Sequence, residues 1–308
     1  MKSKDNAGHF AALITIIIWA TTFVSTKVLL QGFQPVEILF FRFVLGFCVL
    51  FVVYPRRLRI ANRKQELLFA IAGLSGVCVY FLLENIALTY TQASNVGVIV
   101  SVAPFFTAIL SKLVLNNEEK LRGGFFAGFV IVMIGISLIS FNGKELQLNP
   151  VGDLLSLLAA LVWACYSVII RKISNFGYNT IQTTRRIFAY GIFFLIPIIF
   201  SFDFSWDISR FSNPVYLFNI IYLGLGASAF CFVTWNFAVK VLGAVKTSIY
   251  IYLVPVITVI ASLLILHEQI TWTAALGITL TIVGLFVSEV KQKKKEEPGK
   301  TYVGISRL

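Results

Sequence analysis

The chain has 308 residues, of which 58% are hydrophobic and 13% are charged, and its mean hydropathy is +0.85. A soluble domain of this length carries roughly twice that charged fraction, so the composition excludes an ordinary soluble protein. The net charge of +12 resides in short basic clusters between apolar runs, which indicates cytoplasmic loops and argues against a nucleic-acid surface.

Ten apolar runs follow one another along the chain. An α-helix crosses a bilayer when about 18 or more consecutive residues are mainly apolar, and these runs are of that kind. We therefore predict an all-α, polytopic membrane protein with ten transmembrane helices and short connections. The predicted spans are residues 10–30, 36–54, 67–90, 94–115, 122–141, 151–170, 181–201, 214–239, 245–267 and 271–290.

The distribution of Lys and Arg predicts the orientation of these spans. Most of the basic residues lie at the two termini or in every second connection, and only Lys144 and Arg210 lie in the other loops. Cytoplasmic loops carry an excess of Lys and Arg. The pattern predicts a multi-pass protein of the cytoplasmic (inner or plasma) membrane with both termini in the cytoplasm.

An internal repeat divides the chain into two halves. The stretch Tyr80–Ser111 returns as Cys231–Ser262 at a constant offset of 151. Residues that correspond in the two copies are Asn85 and Asn236, Ser101 and Tyr252, and Pro104 and Pro255. Nearer the N-terminus the offset is 144, and it relates Trp19 to Trp163, Lys27 to Arg171 and Arg42 to Arg186.

The repeat also predicts the relative orientation of the halves. Span 1 corresponds to span 6, and five spans is an odd number, so the second half runs through the membrane in the opposite direction. We expect two inverted five-helix repeats, residues 10–141 and 151–290, followed by a basic cytoplasmic tail, residues 291–308. The seven additional residues of the second half fit the external loop 202–213, which is either a lid or a connector.

Short motifs occur in the same order in both halves. The first half contains Trp19-Ala20, Arg42-Phe43, Ala103-Pro104, Glu118-Glu119 and Gly128 with Gly135; the second contains Trp163-Ala164, Arg186-Ile187, Val254-Pro255, His267-Glu268 and Gly277 with Gly284. This ordered duplication resembles the ten-helix EamA-type members of the drug/metabolite transporter superfamily. Ala20, where glycine is common, and Ile187, where phenylalanine is common, depart from the pattern.

The resemblance implies a secondary transporter, in particular an exporter, which moves a small metabolite such as an amino acid or a purine-type compound by alternating access. No cofactor is implied, and no phosphate-binding loop for nucleotide hydrolysis occurs in the sequence. The alternative is a flippase for a lipid-linked substrate. Expected partners are the small-molecule substrate and the lipid bilayer, with no nucleic acid; proton coupling and a monomeric or homodimeric state are left open.

An enzyme is disfavoured. The only histidines, His9 and His267, lie at span ends, and the four cysteines lie in apolar runs without metal-ligand spacing. We therefore expect neither catalytic residues nor a metal site.

Polar and aromatic side chains inside the spans are the candidate substrate site. A membrane helix does not need such side chains to fold, so they should line a cavity or join helices. Trp19 and Thr22 share one face of span 1, Tyr80 and Glu84 share one face of span 3, and the paired asparagines are the strongest candidates. The predicted substrate-binding residues are Trp19, Thr22, Tyr80, Glu84, Asn85, Ser101, Trp163, Tyr166, Ser167, Trp235, Asn236 and Tyr252.

Ionisable residues within spans are costly unless they are paired or face water. We expect Glu84 to meet Arg42 or Lys27 near the outer mouth of the cavity. The pair either fixes helices in place, or supplies an acid that carries a proton or binds an amine of the substrate. Arg171 and Arg186 at the inner mouth have no evident acidic partner, which favours substrates with a carboxylate or phosphate.

Two prolines and several glycines have predicted mechanical roles. Pro104 and Pro255 each remove a backbone donor within a span, and their symmetric placement favours hinges over static bends. Gly124, Gly128 and Gly135 in span 5, with Gly277 and Gly284 in span 10, permit close helix packing, which we expect within one protomer.

Overall fold

The computed structural model describes residues 2–91, 93–115, 123–140, 149–202, 204–257 and 272–289. Within these residues the protein is helical and contains no β-strand. The helices are α1 (Lys2–Leu29), α2 (Pro35–Val53), α3 (Arg63–Tyr90), α4 (Ala93–Val100), α5 (Ala103–Val114), α6 (Gly123–Ser140), α7 (Pro150–Ser174), α8 (Thr180–Ile199), α9 (Pro214–Leu242), α10 (Ala244–Ile257) and α11 (Trp272–Glu289).

Local sequence determines where several helices begin. Asn62, Asn149, Asn179 and Asn213 each precede a helix, and each side chain accepts a hydrogen bond from a backbone N–H of the first turn. Such caps satisfy donors that have no partner inside the helix. Proline occupies the first helical position of α2, α7 and α9, where its missing N–H costs nothing.

The surface confirms a membrane protein. Six helical stretches in the described part of the chain are long and apolar enough to cross a bilayer. Large apolar side chains also point outward, including Val52, Leu113, Phe200 and Phe286, which are 61–85% exposed. A soluble protein rarely exposes so much apolar surface, whereas lipid chains cover it without penalty.

The interior is built by helices from both halves of the chain. Helix α1 packs along α9, α2 along α8 and α9, and α3 and α5 along α7. The main hydrophobic core lies where these helices meet and includes Trp163, Phe188 and Phe232. Each half therefore buries its apolar face mainly against the other half.

Two helices contain π-helical segments at positions that correspond in the sequence repeat. Helix α3 contains a π-helical segment, Leu74–Val79, and α9 contains another, Tyr222–Phe230. The two segments end directly before Tyr80 and Cys231, the first residues of the repeated stretch. A π-helical turn displaces the regular i→i+4 hydrogen bonds, and such turns are frequent at functional sites.

Both helices that contain a central proline are irregular just before it. Helix α4 ends at Val100 and α5 begins at Ala103, with Pro104 in its first turn. Helix α10 contains a 3₁₀ turn, Ile249–Tyr252, ahead of Pro255. Proline lacks the N–H for a regular helical bond and crowds the preceding turn, which accounts for both breaks. The hinge role of these prolines stays a prediction.

Helices α6 and α11 pack together at their glycines, within one protomer as expected. A Cβ atom on Gly128 would lie 2.5 Å from the carbonyl oxygen of Gly284, and one on Gly135 would lie 2.7 Å from that of Gly277. Side chains at these positions would therefore collide with the backbone. Glycine permits a backbone-to-backbone contact that joins the first half to the second.

Candidate functional site

A cavity with about 480 Å³ of empty volume, counting the part open to solvent, lies between the two halves. Helices α1, α3 and α4 of the first half and α7 and α10 of the second half form its wall. Pockets that bind small molecules are mainly apolar with few polar groups. The lining residues are Ile16, Trp19, Thr22, Phe23, Tyr80, Phe81, Glu84, Gly97, Val100, Trp163, Ile251 and Val254.

Aromatic rings form the centre of this wall. Trp19 meets Trp163 edge to face with ring centroids 5.1 Å apart, and Tyr80 lies 4.8 Å from Trp163. Trp235 stands behind them, 5.1 Å from Trp19. The two related tryptophans at offset 144 therefore come into contact at the middle of the bundle.

The indole nitrogens of these two tryptophans differ in their bonding. Nε1 of Trp19 donates to the carbonyl oxygen of Ala227 at 2.9 Å, and Ala227 belongs to the π-helical segment of α9. Trp19 is thus fixed by the backbone of α9, whereas the indole N–H of Trp163 is buried without an acceptor among the described residues.

Glu84 is the acidic group of the described cavity wall. It is 3% exposed, and its Oε2 atom has no hydrogen-bond partner among the described residues. The Tyr80 hydroxyl and the Arg42 guanidinium lie within electrostatic range of the carboxylate. A buried acceptor without a partner costs about 1–3 kcal/mol, more when it is charged.

Arg42 lies behind the cavity wall. Its guanidinium carbon stands 4.4 Å from the centroid of the Phe81 ring, and Nε donates to Oγ of Ser228 at 2.9 Å. The expected proximity of Glu84 and Arg42 is found, although no direct ion pair joins them in the described structure. Lys27 is half-buried and does not line the cavity described above.

Comparison with known proteins identifies the family. The model of the EamA-like transporter family matches residues 6–141 and again residues 150–289. The chain belongs to the EamA-like transporter family.

Curated relatives of this EamA-like chain are described as transporters. An uncharacterized transporter of Archaeoglobus fulgidus is 30% identical over 298 residues, which cover 95% of this chain and 99% of that one. The uncharacterized transporter YcxC of Bacillus subtilis is 25% identical over 97% of this chain and 98% of its own. A probable terminal-alkyne amino-acid exporter of Streptantibioticus cattleyicolor is 23% identical over 92% of this chain and 94% of its own.

A solved crystal structure has a similar fold. It matches 94% of this chain and 97% of its own chain with a TM-score of 0.71 at 19% identity. At that identity the likeness concerns the fold alone. Family and relatives together establish an EamA-like transporter and point away from an enzyme.

The two asparagines that the repeat singled out do not line the cavity. Asn236 accepts a hydrogen bond from the Tyr166 hydroxyl at 2.8 Å and donates to Thr184 at 3.0 Å. Asn85 donates to the carbonyl oxygen of Pro35 at 3.2 Å. Both amides therefore connect helices, because a buried amide lowers its free energy by pairing with a neighbour. Their expected contact with substrate stays a prediction that this conformation does not display.

Five other predicted site residues also lie outside the cavity wall: Ser101, Tyr166, Ser167, Trp235 and Tyr252. Ser101 donates to the carbonyl oxygen of Gly97 at 2.8 Å, which satisfies it within its own helix. Trp235 and Tyr252 are fully buried, and neither their polar atoms nor the Ser167 hydroxyl have a partner among the described residues. Of the twelve predicted residues, those that line the cavity are Trp19, Thr22, Tyr80, Glu84 and Trp163.

The expectation for Arg186 was wrong. Its Nε and Nη2 atoms donate to Oε1 of Glu66 at 3.0 and 2.5 Å, and the Tyr190 hydroxyl donates to the same oxygen. Glu66 lies at the start of α3, 120 positions away in the sequence, so no local pattern links it to Arg186. Because Arg186 is paired with Glu66, it no longer supports the expectation of an anionic substrate, which rested on Arg171 and Arg186.

The sequence analysis missed Glu66 and a second acid, Glu37. Glu37 is 1% exposed at the start of α2 and pairs with Arg210 of the loop 202–213. A charged residue in the first turn of a span has the appearance of an ordinary interfacial group. Arg210 is one of the few basic residues in the loops predicted to be external, and this unusual position could have indicated that it has an acidic partner. In the described residues no group of three or more His, Cys, Asp and Glu side chains is placed to hold a metal ion.

Proposed function

We propose that this protein is a secondary transporter that exports a small metabolite, such as an amino acid or a purine-type compound, across the cytoplasmic membrane. Ten transmembrane helices form two inverted five-helix repeats, with both termini in the cytoplasm. The repeats rock against each other and expose the central cavity to either side in turn. The observation that carries this proposal is the cavity itself, which is walled by helices from both halves.

The irregular helices support the mechanism. Val100 at the end of α4 and Ile251 in the 3₁₀ turn of α10 both line the cavity. Transporters built from repeats commonly place discontinuous helices at the substrate site, where they form hinges and free backbone groups. The two breaks stand at repeat-related positions, so a movement at one has a counterpart in the other half.

The second support is the contact between halves. Arg210 with Glu37 and Arg186 with Glu66 join one half to the other, and they lie near opposite ends of α2. Packing between rigid halves that meet around a cavity allows a rocking motion in which one end opens while the other closes. A charged pair at each end is suited to keep that end closed until the halves rock apart.

The proposal is tested by counterflow in proteoliposomes with labelled amino acids, purines and nucleotide derivatives. We expect saturable uptake of at least one compound, and its loss in Trp19→Ala, because Trp19 lies at the centre of the wall. Trp272→Ala is the matched control, since Trp272 is 92% exposed on the opposite half. A panel without saturable uptake would count against small-metabolite transport and leave the flippase for a lipid-linked substrate as the better hypothesis.

A further inference from the structure

We propose that the cavity selects a small organic cation, an amine with an apolar or aromatic body, and that the Glu84 carboxylate holds the ammonium group among the aromatic rings. This inference rests on the proposed transport function and names the substrate class of the same cavity. It follows from the charge of the wall, from its unused hydrogen-bonding atom and from the ring geometry.

The described wall is negative at one point and otherwise uncharged. Glu84 supplies a carboxylate, and no Lys or Arg stands among the lining residues. The buried Oε2 atom has no donor in the described structure, and an N–H group that pairs with it would remove the cost of an unpartnered buried acceptor. A ligand that carries a carboxylate or phosphate but no amine would instead meet repulsion from Glu84.

The rings around Glu84 suit a cation as well. Trp19, Tyr80 and Trp163 meet at centroid distances of 4.8 and 5.1 Å, and Phe81 closes the wall beside them. The face of an aromatic ring attracts a cation within about 6 Å, and the attraction grows when water is excluded. Rings and carboxylate therefore favour the same ligand charge.

Arg42 does not occupy the position that the ammonium group would take. Its guanidinium lies over Phe81 and donates to Ser228, and neither Arg42 nor Ser228 lines the cavity. Its positive charge makes a buried carboxylate tolerable, while the absence of a direct ion pair leaves Oε2 for a ligand.

Three probes of similar shape separate charge from size: phenethylamine as the cation, 2-phenylethanol as its neutral counterpart and 3-phenylpropionate as an anion. Binding to the full chain in lipid nanodiscs at neutral pH is followed by calorimetry and by tryptophan fluorescence. We expect the amine to bind at least ~10-fold more tightly than the alcohol, which corresponds to about 1.4 kcal/mol. The anion should bind more weakly than both.

The variant Glu84→Gln retains the shape of the side chain and removes its charge. We expect it to bring the amine to within about twofold of the alcohol, a near-complete loss of the charge-assisted bond. Glu66→Gln is the matched control, because Glu66 also has an arginine and a tyrosine as neighbours but lies outside the cavity wall. The amine preference should persist in that variant.

Three results would overturn the inference: no binding of the amine, equal affinity for amine and alcohol, or an unchanged preference in Glu84→Gln. The comparison of three probes on the unaltered chain does not depend on the folding of any variant. Counterflow is measured separately in proteoliposomes. Amine-selective binding without counterflow would support the amine site and contradict the transport proposal. Counterflow without amine selectivity would support transport and contradict the amine site.

Discussion

Arg210 and Glu37 form a two-point ion pair between the loop 202–213 and the start of α2. Nη1 of Arg210 lies 2.8 Å from Oε2 of Glu37, and Nη2 lies 3.2 Å from Oε1. The same guanidinium donates to the carbonyl oxygens of Gly32 and Ser205 and stands 4.3 Å from the Phe33 ring centroid. Glu37 in turn accepts from the backbone N–H groups of Gln34 and Ser205. The contacts of Arg210 with Glu37, Gly32 and Phe33, and that of Ser205 with Glu37, join the loop to the first half.

We expect Glu37→Gln to lower the stability of the protein by about 3 kcal/mol, since removal of one partner from a buried pair leaves an uncompensated charge. Arg210→Lys should have a smaller effect, because the charge remains while the two-point geometry is lost. The measurement is thermal unfolding in detergent, reported by reaction of the buried thiols of Cys78 and Cys231. If the losses of stability in Glu37→Gln and Arg210→Lys simply add in the double variant, the two residues do not act as a pair.

Acid should loosen the 3₁₀ turn of the same loop, Ile208–Ser212. Asp207 accepts from the hydroxyl and the backbone N–H of Ser209, and these hydrogen bonds hold the pKa of Asp207 below its ordinary value. A carboxyl whose pKa is depressed in the folded state stabilises that state above the unfolded pKa, and the contribution disappears as the pH falls through the folded pKa. We expect hydrogen-exchange protection of the Ser209 amide to fall below about pH 4, the ordinary range of an Asp side chain. Asp207→Asn should show protection without this pH step.

The close contact of α6 and α11 predicts a contrast between neighbouring glycines. Gly135→Ala should destabilise the protein by about 1–3 kcal/mol, because the added carbon would lie 2.7 Å from a backbone oxygen and force the helices apart. Gly123→Ala is the control, since nothing in the described structure lies within 4 Å of its added carbon. Equal thermal midpoints for the two variants would show that this helix pair does not depend on glycine.

Sequence reasoning predicted the class and the family because each has a signal that the chain repeats. Trp19 and Trp163 recur at one offset, and a mid-span tryptophan has few uses other than a wall. The asparagines recur equally well, but recurrence does not tell a helix-joining amide from a substrate contact. Asn236 became a link between α7 and α8 because Tyr166 and Thr184 happen to lie beside it, and a sequence does not display such tertiary neighbours.

This assignment predicts that Asn236→Ala acts on stability more than on substrate binding. The change leaves the buried Tyr166 hydroxyl without its acceptor and Thr184 without its donor, which should cost about 1–3 kcal/mol. The Michaelis constant for counterflow should change by less than about threefold, within 1 kcal/mol of the original binding energy. Trp163→Ala, which alters the wall directly, provides the comparison. A large rise of the Michaelis constant with unchanged stability would place Asn236 at the substrate after all.

The contact of Arg186 with Glu66 should bias the rocking equilibrium from the end of the bundle opposite to Arg210. Both side chains are partly exposed, at 41% and 28%, so solvent screening limits the pair to about 1 kcal/mol. If the pair forms only while its end of the cavity is closed, the loss of about 1 kcal/mol changes the ratio of closed to open conformations by about fivefold. We expect Glu66→Gln to increase access to the cavity from the cytoplasmic side, and Glu37→Gln to increase it from the outside.

Access is measured with a single cysteine in the cavity, Thr22→Cys, in a chain whose four native cysteines are replaced. A membrane-impermeant thiol reagent is added to right-side-out or inside-out vesicles, and the labelling rates are compared. If the labelling rates shift in opposite directions for Glu66→Gln and Glu37→Gln, the two ion pairs each keep one end of the cavity closed. Shifts in the same direction would indicate general loosening, and the alternating-access interpretation of these two pairs would have to be abandoned.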